Sequence, residues 1–290
     1  MANLKEIRSR ISSVKNTQKI TAALKMVSAA KLKKAQDQIQ NMRPYAEKIL
    51  SVISDIAHTH RADHPLLTPC EDPKRILLVV ITSDRGLCGG FNNYVNRYAE
   101  NFVKENKDKL DIDFIFIGRK GAEYFKRRDV NTIDTMENMD KEICYELADS
   151  FAKRCMTAFL EGGYDEIRFV YNQFKSAISQ EMTVETIMPV DISKSNFNAE
   201  DCVFCKDLIF EPQPEEMMEE LLNEHFDMQV FRCMSESVAA EHAARMTAME
   251  NATNNADDLV GSLTLTFNKL RQAAITTELT EICSGAEALK

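Results

Sequence analysis

The residues of this chain best placed to do chemistry form one short run, Ser83-Asp84-Arg85-Gly86-Leu87-Cys88-Gly89-Gly90. It follows the apolar segment Ile76–Thr82 and precedes a stretch of helical character from Phe91. α/β proteins place phosphate loops there, because free amides at a helix N-terminus attract anions. The spacing is GxxGG, however. It is neither GxGxxG nor GxxxxGK[ST], and no lysine follows to grip a phosphate. A tight structural turn accounts for it better than a nucleotide site. Cys202-Val203-Phe204-Cys205 is a single CxxC. A structural zinc needs about four ligands, and a redox pair belongs in a thioredoxin-like unit that does not surround it. His225 and His242 lie in a helical stripe and form no HExxH, so they read as core or surface residues. Met217, Met218, Met228, Met234, Met246 and Met249 read as adaptable core. No Ser/His/Asp set or carboxylate pair stands out. The residues predict no catalytic group, no cofactor and no metal.

Glycine and proline show which elements position these residues. No glycine precedes Gly86, and seven of the nine lie between 86 and 163. No proline follows Pro214. Helix breakers are thus confined to the middle. The chain divides into an N-terminal helix (1–58), an α/β insert (74–195) and a C-terminal helix (209–287).

In the first segment Leu4, Ile7, Ile11, Val14, Ile20, Leu24, Val27, Leu32, Ala35, Ile39, Met42, Ile49, Ile53 and Ile56 mark a narrow coiled-coil seam. Pro44 predicts a bend or break near 42–43. In the last segment Leu221, His225, Met228, Arg232, Ser235, Ala239, His242, Met246 and Met249 share a face. Leu259, Leu263, Phe267, Leu270, Ala274 and Thr277 extend it. A helix of roughly 110 Å cannot bury such a stripe in one compact core. Its partner is the N-terminal helix, run antiparallel, and its last turns project beyond that partner.

The middle alternates strand and helix. Ile76–Thr82, Ile112–Ile117 and Ile167–Tyr171 read as buried strands, with Val130–Ile133 weaker and Thr183–Pro189 as an edge. Helical character falls at Phe91–Lys107, Gly121–Arg128 and Glu142–Glu161, the last closed by Gly162-Gly163. The fold class is therefore α/β: a Rossmann-like parallel sheet joined to a long antiparallel coiled coil.

The overall charge is −9, yet residues 1–34 hold nine Lys/Arg and one acid, while 211–227 hold seven acids and no base. The basic helix lacks the interleaved aromatics that stack on nucleic acid, so no nucleic-acid partner is expected. No apolar run approaches the ~20 residues of a membrane span, so any membrane link goes through a partner. The scattered cysteines suit a reducing compartment.

Three blocks together carry a resemblance. They are Lys5–Thr21 with Lys25-Met26-Val27-Ser28; Ser83–Phe91; and Ala240–Met249 with Phe267–Thr276, Glu278–Ile282 and Ser284-Gly285. In this order they resemble the gamma subunits of F-type ATP synthases, bacterial type, over essentially the whole chain. The resemblance implies a central rotor shaft whose coiled coil lies inside an α3β3 hexamer. Its α/β end would face the epsilon subunit and the membrane c-ring, and it would bind no nucleotide and do no chemistry. Arg271 and Gln272 match the pair that contacts the β-subunit catch loop, and Thr276 and Glu278 match neighbouring positions tied to coupling. Leu24, Lys25 and Met26 match the N-terminal segment near the β-subunit lever. Leu24 stands where some members have Met, at preserved volume. The chloroplast branch's regulatory disulfide segment has no counterpart here. The implied location is peripheral, on the cytoplasmic face of a bacterial plasma membrane, reached only through the c-ring.

Overall fold

The structure is a computed structural model. It describes residues 4–60, 65–67, 70, 72–106, 109–128, 130–137, 145–176, 179–190 and 213–288. Cys144 and the Cys202/Cys205 pair lie outside them. The elements are α1 (Leu4–His60), β1 (Arg75–Ile81), α2 (Phe91–Asn106), β2 (Asp111–Ile117), α3 (Arg119–Phe125), β3 (Asn131–Met136), α4 (Tyr145–Gly162), β4 (Glu166–Phe174), β5 (Gln180–Met188) and α5 (Pro214–Ala288). They divide into two compact units: residues 1–29 with 245–290, and residues 30–244.

The larger unit is built on one five-stranded sheet, ordered β3-β2-β1-β4-β5. β1 pairs parallel with β2 and β4, and β2 with β3. The predicted edge strand, β5, instead runs antiparallel to β4. The reason is connection length: only a few residues separate β4 from β5, enough for a hairpin but not for a crossover. The sheet is thus parallel-rich and mixed.

Alternation along β1 assigns the two faces. Leu78 and Val80 point with Phe114, Phe116 and Val170 toward Val95 and Ala99 of α2 and Phe125 of α3. Leu77, Val79 and Ile81 point with Ile115, Phe169 and Tyr171 toward α1, α4 and α5. All six residues from Ile76 to Ile81 are essentially inaccessible, which is why the strand reads as a continuous apolar run. Each such side chain contributes on the order of 1.5–3 kcal/mol by leaving water. α4 ends as its glycines foretell, with Gly163 at φ +66, the left-handed geometry of a helix C-cap. Asp165 then accepts the amides of Lys74 (2.7 Å) and Arg75 (2.9 Å), tying the start of β1 to the entry of β4.

Two features of the long helices go beyond the sequence. Of the bend or break expected near 42–43, there is no break: α1 runs on with Pro44 inside it. Pro44 is exposed while Met42, Ala46 and Ile49 are buried, so packing on both sides outweighs one lost hydrogen bond. α5 buries the expected face from Leu221 to Met249, and more than that face. Between His225 and Ala243 nearly every side chain is buried, because here the helix lies within the core against the sheet and α1.

Candidate partner-binding surface

In the smaller unit the two helices form the expected antiparallel pair. Gln18 Nε2 donates to Asp257 Oδ1 at 3.1 Å, the Thr21 and Thr253 hydroxyls meet at 2.7 Å, and Lys25 Nζ reaches Glu250 Oε1 at 2.6 Å. The partner number falls as the α1 number rises, the signature of opposed directions.

These contacts also correct the seam. Ile20 is 60% exposed and Val27 54%, whereas Thr21 and Ser28 are buried. On α5, Leu259 is exposed at 48% and Ala256 is buried, with Thr253 and Val260 half-buried. The inward positions on α1 are 14, 18, 21, 25 and 28, alternating steps of four and three. That is a strict heptad, carried beyond Val14 by the polar residues Gln18, Thr21, Lys25 and Ser28. An apolar template skips to the nearest hydrophobe and so lands one residue off.

The candidate residues occupy two places. Leu24 and Lys25 are half-buried beside α5, and Met26 is 69% exposed on the outer face. Lys25 is therefore engaged inside the coil, by an ion pair worth at most about 1 kcal/mol at its exposure. Arg271, Gln272, Thr276 and Glu278 are all exposed. They lie roughly 30 Å along α5 from Glu250, so the structure does not bring the two groups together. Thr276 Oγ1 donates to the Gln272 carbonyl at 2.9 Å and Thr280 Oγ1 to the Thr276 carbonyl at 2.8 Å. These bonds turn the hydroxyls back onto the helix and leave the Arg271 and Gln272 side chains outward.

From Ile275 to Ala286 every residue is exposed. Within that span Ile275 (49%), Leu279 (58%) and Ile282 (68%) recur at i, i+4 and i+7, an apolar stripe that no described residue covers. Sequence reasoning passed over this stripe and over Glu250. Carrying the Lys25–Glu250 register outward would have shown α1 running out near Leu270–Arg271.

The Ser83–Gly90 run has the geometry of a structural turn. Ser83 N and the Asn92 side-chain oxygen are 2.9 Å apart, Asn92 Nδ2 reaches Cys88 Sγ at 3.3 Å, and Phe91 N donates to Cys88 O at 3.2 Å. Leu87 and Gly89 take left-handed φ values of 66° and 59°. A Cβ at Gly90 would sit 2.6 Å from the Tyr94 ring. The crevice beyond β1 and β4, where this topology places ligands, holds Cys88 and Phe91 packed on Ala240 of α5. Asn172 Nδ2 donates to Phe91 O at 3.0 Å across it. Among the described residues no group of three or more His, Cys, Asp or Glu side chains is arranged to hold a metal ion, and no helix is long and apolar enough to cross a membrane.

A family model described as ATP synthase matches residues 3–289. The chain is 58% identical over 294 residues to the ATP synthase gamma chain of Bdellovibrio bacteriovorus, covering 100% of both. It is 44% identical over 292 residues to that of Geobacter sp. strain M21, again covering 100% of both. Among solved structures, it resembles a chain of the central stalk/c-ring assembly of Tetrahymena thermophila mitochondrial ATP synthase. There the TM-score is 0.63 and the identity 27%, over 80% of this chain and 99% of that one. A chain of the Euglena gracilis mitochondrial OSCP/F1/c-ring structure shares the fold, with a TM-score of 0.68 and 22% identity over 99% of this chain and 94% of that one. A terminal antiparallel helix pair, a parallel-rich α/β body and full-length likeness to named gamma chains have one reading: the chain belongs to the ATP synthase gamma family, the central-stalk subunit.

Proposed function

We propose that this chain is the rotating shaft of a bacterial ATP synthase. It couples ion-driven turning of a c-ring to ATP synthesis or hydrolysis at the β subunits of an α3β3 hexamer. The observation that carries this reading is α5. One unbroken helix begins in the α/β core and ends in a tip whose polar and apolar residues are exposed among the described residues. Residues 1–58 and 209–287 then serve as the shaft, and 74–195 as the body that meets the epsilon subunit and the c-ring.

Leu24, Lys25, Met26, Arg271, Gln272, Thr276 and Glu278 are the proposed contacts with the hexamer. A shaft must read a surface that changes as it turns without locking to one site. Few hydrogen-bonding groups on a smooth helix meet that need, since each charged hydrogen bond adds only about 1.5–3 kcal/mol. Lys25 would act mainly through the Glu250 pair that shapes its segment. The subunit would be peripheral, at the cytoplasmic face of the plasma membrane, and held there by the c-ring alone. Co-expression with α, β and epsilon subunits tests the assignment. The expected result is a purified ATPase containing one copy of this chain. Assembly of an active hexamer that excludes the chain would overturn it.

A further inference from the structure

Part of the face that α5 packs into the α/β body is made of groups that give no sense of direction. Met228, Phe231 and Met234 meet Phe169, Ile187 and Met188 in one apolar cluster. Such contacts hold a helix down, but dispersion and burial are non-directional, and methionine adapts to many shapes. A helix seated only on such a face can turn about its axis at little cost.

Arg232 interrupts this apolar surface, on a helix that also buries His225, Ser235, Glu236, Ser237, Glu241 and His242. Arg232, with 17% of its side chain exposed, sends Nη2 to Glu185 Oε2 on β5 at 2.6 Å and Nη1 to the Tyr171 hydroxyl on β4 at 3.2 Å. The Tyr171 hydroxyl lies 3.1 Å from Glu185 Oε2 and 3.5 Å from Glu236 Oε2. Gln229 accepts from Arg232 Nε at 2.8 Å, and Glu236, 6% exposed, stands 3.6 Å from Nη1. Each of the three guanidinium nitrogens is thus committed. Nε is held by its own helix, while Nη1 and Nη2 reach across to adjacent strands. Tyr171 and Glu185 share a sheet face because Glu185 pairs with Phe169, two residues from Tyr171. The planar fork is sensitive to angle as a lysine would not be. A turn of α5 by one residue, about 100°, would carry it off both acceptors.

We infer that Arg232, clamped to Glu185 and Tyr171, is the azimuthal lock that stops α5 from slipping against the α/β body when torque passes between them. Arg232 is a positioning residue in this role and touches no nucleotide or ion. The inference rests on the rotor reading above.

The experiment uses the complete membrane-embedded complex carrying Arg232→Met, Arg232→Lys or Glu185→Gln. ATP hydrolysis and ATP-driven ion pumping are measured on the same vesicles. Slippage lowers ions pumped per ATP while leaving hydrolysis near normal, a split that general instability does not produce. R232M should keep hydrolysis within about twofold and lose at least about threefold in pumping per ATP. R232K, which keeps charge without the fork, and E185Q, which keeps shape with a weaker acceptor, should fall between. Should R232M fail to assemble, R232K and E185Q carry the test. Wild-type pumping per ATP in every variant that assembles overturns the lock. A wild-type complex that hydrolyses ATP without pumping would instead overturn the rotor reading.

Discussion

His225 offers a quantitative check on the packing of α5. The ring is 4% exposed, and Nδ1 has no hydrogen-bond partner among the described residues. Burial, with the Arg232 guanidinium nearby, lowers its pKa from 6.5 to about 4. Below pH 6.5 the unfolded segment binds a proton that the folded one refuses, so acidification favours opening. Between pH 8 and pH 5 this costs roughly 2 kcal/mol, about thirtyfold in the opening equilibrium. Asp227, two residues on, acts in the opposite sense. Burial and the neighbouring Asp149 carboxylate raise its pKa to about 7. Its folded form holds a proton that the open form releases, so its contribution is present at low pH and lost as pH rises through about 7. It offsets His225 only in part, because it keeps some contact with solvent. Hydrogen exchange over residues 220–235 can separate the two in wild type, His225→Gln and Asp227→Asn. Each is compared with wild type at pH 8, 6 and 5. H225Q should become relatively better protected on acidification, by up to about thirtyfold at pH 5. D227N should become relatively worse. If H225Q tracks wild type at all three values, His225 is not held neutral and the account of a closed α5 core fails.

Four further outcomes follow from individual side chains or pairs of them. Gly118 sits at φ +95 with Thr82 O 2.1 Å from where a Cβ would be, so Gly118→Ala should cost at least about 3 kcal/mol in urea unfolding. Gly86→Ala, with nothing within 4 Å, should be nearly neutral. Lys25→Glu should weaken the coil through repulsion with Glu250, and adding Glu250→Lys should restore it. The coupling read from thermal melts should be no more than about 1 kcal/mol, because both groups keep solvent contact. Arg271→Ala combined with Gln272→Ala should leave the melting of the chain within about 0.5 kcal/mol, since both side chains are exposed. The same pair should depress ATP synthesis in the assembled complex.

The parts of this molecule that periodicity reveals are those where one physical demand dominates. Ile76–Ile81 is buried on both faces, so its hydrophobicity is continuous and its strand is visible without a partner. The antiparallel coil follows from two long helices that need each other. The polar stretch of the seam hid because Gln18, Thr21, Lys25 and Ser28 are inward by geometry alone, while Ile20 and Val27 are apolar and outward. The all-round burial of α5 near Ser235 and Glu236 comes from the sheet and α1 together, and nothing local to the helix reports those neighbours. Pro44 does not break α1 for the same reason: its intrinsic cost is local, and the packing that overrides it is not. The tip was legible as an overhang, but its residues acquire roles only through a partner. Exposure of Arg271, Gln272, Thr276 and Glu278 is therefore what the structure adds.

The most direct measurement is rotation itself. The α3β3 complex would be fixed to a surface through its β subunits, and a visible probe attached to the α/β body of this chain. Added ATP should then drive stepwise turning in one direction, stopping when ATP is removed. Steady ATP hydrolysis with the probe stationary would contradict the claim that this chain is the shaft.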